Sequence, residues 1–144
     1  MPPVKVPSDD HVMRFVPNAR VKRDEADNIV GMFPQAFSHR EGEDYLSVTW
    51  LEFFSPTYEA AYAAAAAAIR AELTVKKRAA FAVGQVRRVI SACEGSGLKV
   101  RVLHEKTDKN PGHCAMRGLQ KAEDQLLALL ADEVFCDIRG ANVI

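Results

Sequence analysis

A chain of 144 residues with 48% apolar and 26% charged side chains has the make-up of one ordinary globular domain, with enough apolar surface for a core without disulfides or metal. No window approaches the roughly 20 consecutive apolar residues of a membrane span, and Lys5 is not followed by the apolar run of a secretory leader. Cys93, Cys114 and Cys136 are scattered and form no CxxC pair, which excludes a zinc knuckle or thioredoxin-like motif and predicts buried thiols in a reducing, cytoplasmic setting.

Residues 1–10, with three prolines, read as a flexible lead-in to a single domain over 11–135. His11–Val16 predicts a strand stopped by Pro17, and a charged stretch from Arg20 runs to the turn formers Asp27-Asn28. Ile29–Phe33 is a second apolar run, stopped by Pro34, and Ala36-Phe37 begins another apolar element. Tyr45–Phe54, rich in aromatic and β-branched residues, predicts a mostly buried strand with Leu46, Val48 and Trp50 on one face and Ser47, Thr49 and Leu51 on the other.

Ser55-Pro56 carries the signature of a helix start, and the alanine run Ala63–Ala68 predicts a helix over about 56–75 whose low-profile face packs close to a sheet. Ala79–Gly84 is a short apolar strand, and Val86, Val89, Ile90 and Cys93 have helical spacing over about 86–95, ended by Gly95-Ser96-Gly97. Leu98–His104 alternates as a strand, so this stretch forms a β-α-β unit of open pairing direction. A loop leads to the extended segment His113–Leu119 and an amphipathic helix over about 121–135, leaving 136–144 as a loose tail. The expected fold is therefore α+β, with a mainly antiparallel or mixed sheet of about five to six strands packed by three helices.

Zero net charge conceals a basic middle: residues 70–109 carry 10 basic and 4 acidic groups, between flanks in which acids exceed bases. Lys76, Lys77, Arg78, Arg87 and Arg88 could present a nucleic-acid or phosphate surface, or they could neutralise those flanks within one fold. The common nucleotide, metalloprotease and nucleophile-elbow motifs are missing from the sequence. His104 and His113 bracket an eight-residue loop that contains Asp108, and as a hairpin these three could form an acid/base or metal-binding group. The Asn110-Pro111-Gly112 turn explains the same residues structurally.

A second candidate is an anion site from His11, Arg14, Arg20, Arg23, His39 and Arg40, although nothing in their spacing forces them together. Ser47 is set aside as a nucleophile because a strand interior supplies neither a strained turn nor a base, and Trp50 reads as a core anchor.

The stretches His11–Pro17, Tyr45–Glu52 and Asn110–His113 resemble segments of small bacterial proteins of unassigned function. That resemblance implies a bacterial accessory protein and carries no catalytic residue or cofactor. The expected function is accessory, as an antitoxin- or immunity-like subunit working through a protein partner or a homo-oligomer. The alternatives are a small histidine- or metal-dependent enzyme acting on a nucleotide or nucleic acid, and a non-catalytic nucleic-acid binder. No membrane partner is expected.

Overall fold

The computed structural model describes residues 3–143 and is α+β, with three helices and nine strands. Met1, Pro2 and Ile144, the ends of the expected lead-in and tail, lie outside the described residues. The strands are β1 Val4–Lys5, β2 His11–Val16, β3 Val21–Arg23, β4 Ile29–Met32, β5 Tyr45–Trp50, β6 Ala80–Gln85, β7 Arg101–His104, β8 His113–Arg117 and β9 Asp137–Gly140. The helices are α1 Tyr58–Glu72, α2 Val86–Gly95 and α3 Asp124–Leu129, the last continued by a π-helical turn over Leu130–Val134. Seven strands form one antiparallel sheet in the order β1-β7-β8-β5-β2-β6-β9, and β3 and β4 form a separate hairpin. No helix among the described residues is long and apolar enough to cross a membrane.

The sheet is larger than the sequence reading because both chain ends join it. The expected lead-in contributes β1, paired with β7 through Val4 and Lys5, and Val6 is buried behind it. The expected loose tail contributes β9, which pairs with β6 over four residues. The charged stretch after Arg20 supplies β3, and Asp27 adopts φ +65° at its turn, where Asp24 Oδ1 accepts the amide hydrogens of Ala26 and Asn28. Ala36-Phe37 lies in a single 3-10 turn over Pro34–Phe37. Strands β6 and β7 flank α2 in sequence but are separated in the sheet by β2, β5 and β8.

Both faces of the sheet are covered. One carries the larger core, where Val12, Val48, Ala82, Val102 and Met116 meet α2, α3 and the 34–37 turn. The other carries α1, whose Ala61, Tyr62, Ala65, Ala66 and Ile69 pack on Met13, Phe81 and Val83. Alanine removes side-chain bulk, which lets a helix approach a sheet closely, and Tyr62 anchors α1 by donating its hydroxyl hydrogen to the Phe81 carbonyl at 2.8 Å. The helix begins at Tyr58, after the expected cap, because Ser55 Oγ accepts the Thr57 amide hydrogen at 3.1 Å and holds a turn there.

Candidate functional site

Strands β2 and β5 are neighbours in the centre of the sheet, yet they pair only at Val12↔Trp50 and Met13↔Thr49. Beyond Met13 they diverge, and the Arg14 guanidinium fills the gap. Its Nε donates to the Ala36 carbonyl and its Nη1 to the Ser47 carbonyl, both at 2.9 Å. A side chain thus takes the bonding place that a neighbouring strand would have occupied. The divergence opens a cavity of about 440 Å³, walled by β2, β5, β8, the C-terminal end of α1 and the segment from Gln35 to Glu43.

Arg14, Arg20, His39, Arg40, Ser47 and His113 all line this cavity. Four of the six residues in the second sequence candidate therefore meet in one place. His11 and Arg23 do not join them. His11 pairs with Glu52 at 2.6 Å, and Arg23 bonds Asn18 and the Arg78 carbonyl. Arg14 is half-buried and makes no ion pair among the described residues. Loss of hydration pulls its pKa down to about 10, opposed by the field of Glu43 and reinforced by that of Arg40. The two carboxylates of the wall are already engaged, Glu43 by the Arg40 amide at 2.6 Å and Glu72 by the Thr107 hydroxyl at 2.6 Å. His39 Nε2 is buried without a hydrogen-bond partner among the described residues, and burial lowers the pKa of its ring. A half-buried cation with no direct ion pair and a buried imidazole nitrogen without a partner among the described residues both leave bonding capacity unused.

His113 and Ser47 sit on the same wall. In the β5–β8 register Ser47 opposes Ala115 and Thr49 opposes His113, so the serine and histidine are diagonal neighbours on one face. His113 Nδ1 lies 2.8 Å from the Glu105 carbonyl oxygen, which can only accept, so Nδ1 carries the hydrogen. In the neutral ring Nε2 is then the acceptor, and the Ser47 hydroxyl donates to it across 3.1 Å. Ser47 is exposed to the cavity while His113 is buried. The sequence reading missed this pair because the base comes from another strand. The available signal was Ser47 and Thr49 sharing one polar face of an otherwise apolar strand.

The expected grouping of His104, His113 and Asp108 does not form. His104 opposes Cys114, one residue beyond His113, and alternation sends the two imidazoles to opposite faces of the sheet. His104 lies against Trp50 and Phe53, with ring centroids at 5.4 and 5.2 Å, and its Nε2 is 2.7 Å from the Pro111 carbonyl oxygen. Asp108 is exposed on the loop. The loop itself is held by fully buried Asn110, which donates Nδ2–H to Thr49 Oγ1 at 2.9 Å and accepts the Gly112 amide hydrogen at 3.0 Å. No group of three or more metal-ligating side chains is assembled among the described residues.

The basic middle is distributed rather than pooled. Arg78 binds Asp27 through two hydrogen bonds of 2.9 Å, Arg87 pairs with Asp9, and Arg88 donates to the Glu133 carbonyl at 2.6 Å. Lys76 and Lys77 are exposed beside them. Arg78 and Arg87 neutralise acidic groups of the N-terminal flank within the one fold, whereas Arg88 caps a backbone carbonyl. Cys93 and Cys114 are buried as expected, whereas Cys136 is exposed, which corrects the expectation for the third thiol.

Comparison with protein-family models, with curated proteins and with solved structures finds no match to this chain.

Proposed function

We propose that this protein binds a small organic anion, a carboxylate or phosphate, in the cavity between β2 and β5. The observation that carries the reading is Arg14, a half-buried guanidinium that lines the cavity and has no carboxylate within ion-pair distance among the described residues. A partly desolvated cation gains from pairing, and a ligand anion is a partner that the cavity has room for. Arg20 and Arg40 add positive charge to the wall, and His39 Nε2 offers a further polar contact. Planar guanidinium groups suit the two-oxygen edge of carboxylates and phosphates.

Calorimetric titration with inorganic phosphate, citrate and succinate tests the reading. At least one of them should bind with a Kd of millimolar or tighter and raise Tm, while chloride at equal ionic strength does neither. Arg40→Ala, which alters an exposed side chain, should weaken binding about 5-fold, and Arg14→Met should abolish it. If none of the anions binds, or if both variants bind as the parent does, the reading fails.

A second reading, an accessory subunit acting through protein contacts, is favoured by an open groove of about 710 Å³ beside the short edge strand β1. Its wall includes Val6, Val86, Ile90, Leu98 and Val100. Affinity isolation with the intact chain and with an Ile90→Glu variant tests it, and a partner held equally by both would exclude the groove.

A further inference from the structure

We infer that Ser47 and His113 form a catalytic dyad that hydrolyses a small ester bearing a carboxylate or phosphate. The choice of substrate class rests on the anion-binding reading; the dyad rests on its own geometry. Three features of that geometry belong together. The Ser47 hydroxyl is exposed to the cavity, so a bound molecule can reach it. Its hydrogen-bond partner is His113 Nε2 at 3.1 Å, the nitrogen that accepts in the neutral ring, within the reach required of a general base. The base is itself oriented, because the Glu105 carbonyl oxygen holds Nδ1–H at 2.8 Å and so fixes the tautomer.

That carbonyl is not loosely placed. The Glu105 amide donates to the His113 carbonyl at 3.0 Å, and the Glu105 carboxylate is held by Arg117 through bonds of 2.8 and 2.7 Å. Tyr45 packs edge-on to the imidazole at 6.0 Å and limits its rotation. A purely structural serine on a strand needs neither a cavity nor a buried, tautomer-fixed histidine.

The steps balance without a cofactor. Ser47 Oγ bonds to the ester carbonyl carbon as its proton passes to His113 Nε2. Charge then develops on the carbonyl oxygen beside Arg14, whose Nη1 already contacts the Ser47 backbone. The carbon–alkoxy bond breaks, and the leaving alkoxide takes the proton from His113 as the free alcohol. Water attacks the acyl-serine, giving a proton to Nε2. The acyl–Oγ bond breaks, Oγ recovers that proton, and the carboxylic acid departs. The sum is ester plus water to acid plus alcohol.

Labelling with a fluorophosphonate and hydrolysis of two p-nitrophenyl esters, the succinate half-ester and the uncharged acetate, test the inference. The label should be found on the peptide containing Ser47 and be lost in Ser47→Ala, a change at an exposed residue that leaves the circular dichroism spectrum intact. His113→Gln should slow labelling by roughly 100-fold or more. The half-ester should exceed the acetate in kcat/KM by about 10-fold, and Arg14→Met should erase that preference. Folded protein that binds phosphate or succinate yet leaves Ser47 unlabelled would overturn the dyad and leave the anion-binding reading standing. Ser47 labelling with equal rates on both esters would keep the dyad and remove the substrate class.

Discussion

Replacing Asn110 by alanine should destabilise the fold far more than an ordinary loop substitution. The side chain is fully buried, donating to Thr49 Oγ1 at 2.9 Å and accepting from the Gly112 amide at 3.0 Å. Its loss removes two hydrogen bonds worth roughly 1 kcal/mol each and leaves the buried Thr49 hydroxyl and Gly112 amide short of partners, for a total of about 2–4 kcal/mol. For a domain of this size that lowers Tm by roughly 5–15 °C. Urea denaturation followed by circular dichroism measures it, with Asp108→Ala on the same loop as the control, expected within about 0.5 kcal/mol of the parent. Adding Thr49→Val to Asn110→Ala should cost less than the sum of the single changes, because the second substitution removes a hydroxyl already left without its partner. If Asn110→Ala stays within 0.5 kcal/mol of the parent, the loop is not held by this side chain. The account of how Glu105 and His113 are positioned then fails with it.

Other consequences are equally direct. Gly118→Ala should destabilise by about 2 kcal/mol or more, because the backbone has φ +103° and a Cβ there would meet the Lys99 carbonyl oxygen at 2.4 Å; equal urea midpoints for variant and parent would contradict it. The hydrogen bond from Arg117, helped by that cation's field, holds the Glu105 carboxyl below its ordinary pKa. Its stabilisation is therefore complete above the unfolded value of roughly 4.3 and is lost as pH falls through the lower folded value. Glu105→Gln, which keeps the backbone carbonyl, should flatten that part of the stability profile below about pH 5. Burial pushes the Cys93 thiol up to about 11 and Cys114 up to about 12, while Cys136 is exposed. Ellman's reagent should therefore titrate one thiol in the native protein and all three in denaturant.

Much of the local structure was legible from sequence because local physics determines it. The stretch His11–Val16 forms the predicted strand residue for residue, and the helical spacing of Val86, Val89 and Cys93 gives α2 its predicted span. The alanine run likewise gives a helix, since nothing in it favours another backbone. Ends were less legible where a polar side chain redirected the chain, as Ser55 does ahead of α1. Val4–Lys5 and Asp137–Gly140 are too short to announce themselves and become strands only because β7 and β6 present open edges to them.

The candidate site, by contrast, depends on strand pairing. Sequence supplies Arg14, His39, Ser47 and His113 as residue types, and it correctly says that a lone strand gives a serine no base. Only the pairing of β5 with β8, in the register that sets Thr49 against His113, brings an imidazole to Ser47. The same register, through alternation, parts His104 from His113. Only the early divergence of β2 from β5 makes room for Arg14 and the cavity beside it. Hydrophobic period decides which residues form strands, but neighbour and register are fixed by the best burial of all strands together. That global minimum cannot be read from any one segment.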